Sequence, residues 1–411
     1  MTAPEKEKTF TVLKACGYFV GAEVLLRMTK GAISYEAGKY VVIFFMLFGT
    51  LYKGLSGKGY PYFMYLVFLV PSIFVASTTL SFDANFRTNI AFVLSGPVCL
   101  GIAALFCYDK RISFNQMSEI LLFTVLPIIA HAIYIFFYVP DLQDVLTGTA
   151  SNRSTSGGWG PNQVSAILGL GITIISFRLF TKSPTFFLKI LNASLLMMLS
   201  YRAIVTFSRG GVFTAAATVA VFLLFYFMGV GDRKKNEILS LFALFLISLA
   251  VTWYVSTRNT QGLIELRYEN KDHLGRDKGD ITTGRGDLLM GELEGFISSP
   301  FLGIGSSRAK DQRIEIEGHG VTSHSEVSRV LAEHGMFGVA ILVILIFKPL
   351  AIRSRNQENY YFYAFMAFWF LTINHMSMRI AMPAFIYALA LLNVTHEKNP
   401  LRRKRLKAQV Y

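Results

Sequence analysis

Charged residues and cysteines are both scarce in this chain. Only 16% of its 411 residues are Asp, Glu, Lys or Arg, whereas 53% are hydrophobic and the mean hydropathy is +0.45. So little charge excludes a protein that is water-soluble over its whole surface. The three cysteines, Cys16, Cys99 and Cys107, lie in apolar stretches without the spacing of metal ligands. They predict buried thiols that act as small hydrophobic groups, not a zinc site or a disulfide framework.

The chain also lacks an obvious internal repeat, a low-complexity tract and a small-residue cleavage site after its first apolar stretch, which we therefore treat as a retained span. About twenty apolar residues cross one bilayer. Twelve apolar segments of suitable length follow one another, at 11–28, 34–52, 60–80, 88–107, 118–139, 161–180, 185–206, 210–229, 237–256, 325–348, 359–376 and 378–395. The sequence thus predicts an all-α polytopic membrane protein of about 12 transmembrane helices, with one large periplasmic loop containing short helices.

The net charge of +14 follows the membrane orientation and does not indicate nucleic acid as a partner. If the N-terminus is cytoplasmic, every inner loop carries Lys or Arg, and so does the tail, as the positive-inside rule requires. Segment 257–322 has nine Lys or Arg against eleven Asp or Glu, which suits exported chain. We expect transmembrane helices 1 to 9 in 1–256, a periplasmic loop with an amphipathic helix in 257–322, transmembrane helices 10 to 12 in 323–395, and a basic cytoplasmic tail in 396–411.

Arg285 stands at the start of a short amphipathic helix predicted in the large loop. Apolar residues at 289, 293, 296 and 297 follow at helical spacing before Pro300, so the helix is expected on the membrane face or against the bundle. Leu289, four residues after Arg285, is expected to anchor it while Arg285 projects toward whatever lies beneath. The alternative is a solvated arginine on a loop helix.

Arg209 is expected at the outer end where spans seven and eight meet, next to Gly210 and Gly211, which allow close approach of a backbone or ligand. The planar guanidinium suits bidentate binding of phosphate oxygens, so Arg209 and Arg285 on one spot would form a diphosphate site. Arg202 lies about two turns earlier, where a charge is costly unless it is paired or functional. Alternatively, the Arg202 side chain snorkels toward the membrane surface or pairs with another group in a structural role.

His324 lies where the large loop re-enters the membrane. Histidine suits proton transfer near neutral pH, although a histidine at a helix start also serves as a cap or a structural hydrogen-bonding group. If one helix follows, His324 and Gly335 share a face, because eleven residues make about three turns.

These residues resemble the bacterial O-antigen ligases. His324-Ser325, nine residues, Gly335, two residues and Gly338 match the pattern H-[NSQ]-x9-G-x-x-G, Arg285 with Leu289 matches the R-x3-L element, and the stretch SPFLGIG at 299–305 is similar to the family's sPllGvG. Ser208-Arg209-Gly210 resembles the earlier arginine motif, and WGPNQ at 159–163, which includes Asn162, is similar to an Asn-containing entry into a middle span. The resemblance covers about 150–345 in detail, and the first 140 residues only in hydropathy.

The resemblance implies metal-independent transfer of a glycan from undecaprenyl diphosphate to an acceptor hydroxyl at the periplasmic face of the bacterial inner membrane, with no cofactor. It assigns His324 as general base, and Arg209 and Arg285 as the groups that hold the diphosphate and offset its developing charge. Asn162, Arg202, Arg308 and Arg329 are further candidates for substrate binding. The expected partners are the undecaprenyl diphosphate-linked glycan donor, lipid A core or another glycan as acceptor, and membrane lipids.

Several functions share this chemistry. O-antigen ligation to lipid A core, in lipopolysaccharide biosynthesis, is the leading interpretation. An O-antigen or exopolysaccharide polymerase and a protein O-oligosaccharyltransferase are alternatives, because the acceptor is set by cavity shape and outer-loop contacts. A transporter of lipid-linked glycans is the non-enzyme alternative, but transporters place ionisable groups near the bilayer midplane, whereas the suggestive charges here gather at the outer ends of spans.

Overall fold

The computed structural model describes residues 7–139, 142–280, 282, 284–317, 321–354 and 359–395. The predicted basic tail, 396–411, lies outside the described residues. The helices are α1 (Lys8–Met28), α2 (Ala37–Lys53), α3 (Tyr60–Phe68), α4 (Pro71–Thr79), α5 (Phe86–Cys107), α6 (Phe114–Tyr138), α7 (Pro161–Thr181), α8 (Phe186–Ile204), α9 (Arg209–Gly229), α10 (Asp232–Asn259), α11 (Leu263–Tyr268), α12 (Arg285–Ser298), α13 (Arg308–Glu317), α14 (Glu326–His334), α15 (Met336–Arg353), α16 (Phe362–Met376) and α17 (Met382–Ala390). Two short parallel strands, β1 (Arg111–Ser113) and β2 (Asn393–Thr395), complete the described structure.

The predicted fold class is confirmed, since the chain is an all-α polytopic membrane protein. Within the described ranges, nine helical segments are long and apolar enough to cross a membrane. The count of twelve spans stays a prediction. The three cysteines are free and fully buried among the helices, as their apolar surroundings predicted.

Three of the predicted spans are interrupted: the third, the tenth and the last. The third segment is divided at Pro71 into α3 and α4, because proline inside a helix removes a backbone hydrogen bond and clashes with the preceding turn. In the last predicted segment, 378–395, only the nine residues of α17 are helical, and the chain then pairs through β2 with β1 at the connection between α5 and α6. This connection joins the end of the described chain to the first half of the bundle.

The predicted helix at 325–348 is broken at Gly335, so the expectation that His324 and Gly335 share a helical face is wrong. Gly335 has φ +58°, and a Cβ on it would lie 2.6 Å from the Pro300 carbonyl oxygen. The Met336 amide donates to that same oxygen at 2.8 Å. The turn at 299–305 therefore packs against the break, where α14 ends at His334 and α15 begins at Met336.

One end of the bundle collects the elements that the sequence placed at the outer face. Helices α7 and α9 begin there, and α8 and α16 end there, because successive spans run in opposite directions. Gly210 and Gly211 allow this convergence. A Cβ on Gly211 would lie 2.1 Å from the Ser165 carbonyl oxygen of α7, and a Cβ on Gly210 would lie 2.2 Å from the His375 ring of α16.

We predict that Gly211→Ala lowers the thermal unfolding temperature of the purified protein. The added methyl group meets a helix backbone that cannot move cheaply, and overpacking of this kind costs about 1–3 kcal/mol. Gly291→Ala is the matched control, because a Cβ at this helical position meets nothing within 4 Å and alanine favours the helix. Equal unfolding temperatures for Gly211→Ala and the parent would contradict the close approach of α7 and α9.

Candidate active site

A cavity of about 440 Å³ lies at this end of the bundle. The three principal residues predicted from the sequence, Arg209, Arg285 and His324, all line it. The complete described lining consists of Ser151, Asn162, Ser208, Arg209, Gly210, Arg267, Thr282, Arg285 and His324. Residues that are far apart in the sequence therefore meet at one place, although their chemical roles stay predictions.

Arg209 is the first residue of α9, and a tight turn presents it to the cavity. Phe207 in that turn has φ +57°, and its carbonyl oxygen accepts a hydrogen bond from Arg267 Nε at 3.0 Å. Ser165 Oγ of α7 donates to the Ser208 carbonyl oxygen at 2.8 Å. In return, Arg209 Nη1 donates to the Arg267 carbonyl oxygen at 3.4 Å. The start of α9 is thus fixed by two neighbouring elements.

Asn162, a further predicted binding residue, lies in the cavity lining at the start of α7. Its Oδ1 accepts a hydrogen bond from Ser208 Oγ at 2.8 Å. Its other amide atom, Nδ2, is a donor with two hydrogens. Asn162 therefore couples the starts of α7 and α9 and adds a polar group to the cavity lining.

Arg285 is the first residue of α12, as the sequence predicted. Gly284 precedes it with φ +78°, and the Asp280 carboxylate accepts hydrogen bonds from the Thr282 and Gly284 amides at 2.7 and 2.6 Å. Arg285 Nη1 lies 3.3 Å from His375 Nδ1 at the end of α16. The expected anchoring by Leu289 is wrong for contacts within the protein, because Leu289 is 42% exposed and the buried residues of α12 are Glu292 and Gly295.

His324 precedes α14 and is held through its backbone. Its carbonyl oxygen accepts the Ser377 amide at 3.0 Å, while Ser325 is the N-cap of α14, whose hydroxyl accepts the Ser328 amide. Nδ1 of His324 is buried and has no hydrogen-bond partner among the described residues. Burial, together with the positive charges of Arg379 and Arg285, lowers the pKa of His324 to about 4. The imidazole is therefore neutral at neutral pH and able to accept a proton.

The cavity is strongly electropositive. Arg209, Arg267 and Arg285 line it, and no Asp or Glu is among the described lining residues. Burial and the neighbouring Arg209 lower the pKa of Arg285, and burial with Arg209 and Arg285 lowers the pKa of Arg267. Arginine nevertheless keeps its proton, so the three groups repel one another. An anion bound among them would relieve this repulsion.

Three other predicted binding residues lie elsewhere. Arg202 is buried in α8, with its guanidinium carbon 3.5 Å from the Phe136 ring centroid. Arg308 forms ion pairs with Asp311 and Glu315 at 2.7 and 2.8 Å. None of them is in the described cavity lining.

Arg329, the third of these, is buried in α14 between two carboxylates. It forms ion pairs with Glu326 and with Glu333, the latter at 2.6 Å. Both carboxylates come from the same helix, at the spacing that places side chains on one face. The geometry gives Arg329 a structural environment, and a role in substrate binding stays an untested prediction.

The sequence interpretation missed Arg267 and His375. Arg267 follows α10 in a stretch with other charged residues, and His375 ends an apolar segment, so neither carries a local signal. His375 contacts Gly210 and Arg285, and its backbone forms a hydrogen bond with His324. Only the convergence of α9, α11, α12 and α16 reveals them.

The first helix is connected to the site by hydrogen bonds. Glu23 Oε2 accepts the Ala381 amide at 2.7 Å, and Arg27 Nη2 donates to the Arg379 carbonyl oxygen at 3.2 Å. Arg379 in turn donates to the Ser323 carbonyl oxygen at 2.8 Å. A part of the chain that resembles the family only in hydropathy thus holds the backbone next to His324.

No group of three His, Cys, Asp or Glu side chains suited to a metal ion occurs in the described part of the chain.

Comparison with known proteins supports the resemblance seen in the sequence. The family model described as O-antigen ligase matches residues 193–343, a segment that contains Arg209, Arg267, Arg285 and His324. Comparison with curated proteins gives no match. The family indicates a glycosyltransferase of the ligase or polymerase type, with a lipid-linked glycan and a glycan acceptor as substrates in a membrane. The chain thus carries an O-antigen ligase family domain at residues 193–343, and this domain supports the O-antigen ligase-like superfamily.

Proposed function

We propose that the protein transfers a glycan from undecaprenyl diphosphate to an acceptor hydroxyl, without a metal ion, at the periplasmic face of the bacterial inner membrane. The observation that carries the proposal is the convergence of Arg209, Arg285 and His324 on one electropositive cavity. A donor that joins a diphosphate to a membrane lipid explains why this cavity lies in a polytopic membrane protein. Both termini would then be cytoplasmic, as the loop charges predict.

The arginines are suited to bind the diphosphate. A guanidinium presents parallel N–H donors that match phosphate oxygens, and three guanidinium groups line this cavity. As the bond between the anomeric carbon and the diphosphate oxygen breaks, the bonding electrons leave with the diphosphate. Arg209 and Arg285 offset the negative charge that develops there, and Arg267 adds a third positive charge.

His324 is suited to act as the general base. His324 lines the cavity, and its neutral imidazole can take the proton of the acceptor hydroxyl. The hydroxyl oxygen then attacks the anomeric carbon from the face opposite the leaving diphosphate, so the configuration at that carbon inverts. The proton ends on His324 and is released to solvent before the next cycle.

The acceptor that we propose is a sugar hydroxyl of lipid A core, which makes the protein an O-antigen ligase of lipopolysaccharide biosynthesis. The test is a transfer reaction with purified protein in detergent, supplied with carrier-linked glycan and with lipid A core. Covalent product that carries the glycan on the core sugar supports ligation. Product only on carrier-linked glycan identifies a polymerase, and product on Ser or Thr a protein glycosyltransferase. No product with any of these acceptors contradicts the proposed activity.

We predict that His324→Ala and Arg285→Ala each lower kcat/KM for transfer by at least about 100-fold, since general-base help contributes about 10²–10⁴ and one charge-stabilising group about 10²–10³. Arg276→Ala is the matched control, because this loop arginine is 70% exposed and lies outside the described cavity lining. Protein levels should be the same for all three variants. Transfer at the parental rate by His324→Ala or Arg285→Ala would remove that residue from the mechanism.

The pH profile of transfer tests the protonation state of His324. Because its pKa is lowered to about 4, the base form is already dominant at pH 6, and kcat/KM should stay flat from pH 8 to pH 6 and fall only as the pH approaches 4. Arg379→Gln removes one of the positive charges that lower this pKa, so its acid limb should move to higher pH. An acid limb near the ordinary histidine value of about 6.5 in the parent would argue against His324 as the base in this environment.

A further inference from the structure

Helix α12 packs on the protein through a polar residue. Glu292 is fully buried, and its carboxylate accepts hydrogen bonds from Arg313 Nη2 at 2.7 Å, Ser328 Oγ at 2.6 Å and Ser323 Oγ at 3.1 Å. Gly295, three residues later, fits closely against Ile304. The two buried residues of α12 are thus a glutamate and a glycine.

Several large apolar side chains of α12 are exposed, whereas Leu288, Leu293 and Phe296 are partly buried. Ile297 is 74% exposed and Met290 is 57% exposed. At about 100° per residue, Leu289, Leu293 and Ile297 occupy the arc on one side of the buried face. This arrangement is the reverse of that expected for a helix on a water-soluble protein, where the apolar face is buried.

The polar side chains of α12 occupy the arc on the other side of the buried face. Asp287, Glu294 and Ser298 lie there, and all three are exposed. The helix therefore has three faces, one toward the protein, one apolar and one polar. A helix at the surface of a membrane, beside a protein, meets the same three environments.

The apolar face continues into further exposed apolar side chains at the start of a membrane-spanning helix. Phe301 and Leu302, in the turn after α12, are 76% and 51% exposed. The Met336 amide donates to the Pro300 carbonyl oxygen at 2.8 Å, and Met336, 54% exposed, begins the membrane-spanning helix α15. The apolar side chains of α12 and of this turn thus adjoin the exposed side of a span.

We propose that α12 is an interfacial helix whose apolar face, with Phe301 and Leu302, inserts into the lipid of the outer leaflet, while Asp287, Glu294 and Ser298 face water. The insertion itself does not depend on the proposed function. The consequence of the insertion does depend on that function. Arg285 begins α12 and lines the cavity, so one wall of the cavity would lie in the leaflet that delivers a lipid-linked diphosphate. This deepens the proposed function by giving the donor a route from the bilayer.

The test uses the full chain reconstituted in phospholipid vesicles, with a nitroxide label on one introduced cysteine at a time. Leu289→Cys and Ile297→Cys probe the apolar face, and Glu294→Cys and Ser298→Cys are matched controls on the polar face of the same helix. The native cysteines are fully buried, and the parent treated with label measures any background. Collisions with oxygen, which concentrates in lipid, are compared with collisions with a water-soluble nickel complex.

We expect an oxygen-to-nickel accessibility ratio severalfold higher at positions 289 and 297 than at 294 and 298. Nickel accessibility at 289 and 297 equal to that at 294 overturns the proposal, as does a lack of access by either reagent, which would indicate a protein partner on this face. The readout needs no substrate. The insertion of α12 can therefore be disproved while transfer activity is confirmed, and transfer activity can be absent while α12 is shown to insert.

A second observation concerns His375, which connects the two arginine-bearing elements. Arginine has only donors, so the 3.3 Å contact between Arg285 Nη1 and His375 Nδ1 requires Nδ1 to accept. The ring proton then lies on Nε2, which is buried without a partner among the described residues. The same ring packs against Gly210, next to Arg209.

The geometry points to His375 as a positioning residue that orients the Arg285 guanidinium through Nδ1. This inference rests on the proposed function for its readout. His375→Asn keeps an acceptor oxygen near the position of Nδ1, whereas His375→Gln moves it toward the position of Nε2. Both variants lose the ring, so a purely structural role affects them alike.

We expect His375→Asn to retain most of the parental kcat/KM, and His375→Gln to lose about 10- to 100-fold, the range for a hydrogen bond to a charged group. Equal losses, or no loss in either folded variant, would overturn the positioning role. Whatever the two His375 variants show, the proposed function is tested separately, by the transfer activity of the parent and by the Arg285→Ala variant.

Discussion

Repulsion among three guanidinium groups is the constraint on which this site depends. Arg209, Arg267 and Arg285 share one partly buried cavity without a described carboxylate in its lining. Backbone carbonyls and a histidine nitrogen are among their acceptors, through hydrogen bonds from Arg267 to Phe207, from Arg209 to Arg267 and from Arg285 to His375. Such neutral acceptors help to fix the position of each guanidinium. An anion bound among the three groups would relieve their repulsion.

The same charges set the protonation state of the histidine. Burial and nearby arginines lower the pKa of His324, so the imidazole stays neutral in the presence of the groups that would bind a diphosphate. A neutral base and a cationic clamp can thus operate side by side at one pH. Elsewhere in the large loop and in α14, arginines that lie outside the cavity are paired with carboxylates, as Arg313 is with Glu292 and Arg329 is with Glu333.

Glycines make this arrangement possible by letting backbones approach closely. Gly210 and Gly211 seat the start of α9 between α7 and α16, and Gly303 and Gly335 seat the 299–305 turn against the break between α14 and α15. The glycines of the H-S-x9-G-x-x-G pattern therefore shape the backbone behind His324, and do not share a helical face with it. Gly338 completes this packing, because a Cβ there would lie 2.3 Å from the Val330 carbonyl oxygen.

The sequence by itself determined the membrane class and the positions of most helices. It also selected Arg209, Arg285 and His324 as candidate site residues, and these three line one cavity. Hydropathy, loop charge and short motifs are local signals, so one chain suffices to read them. The break at Gly335, the exposure of Leu289 and the burial of Glu292 were decided by tertiary structure, because each depends on which neighbour packs against that face. Arg267 and His375 join the site for the same reason: a long chain folds three helix ends and a loop onto one cavity, and no spacing in the sequence records that meeting.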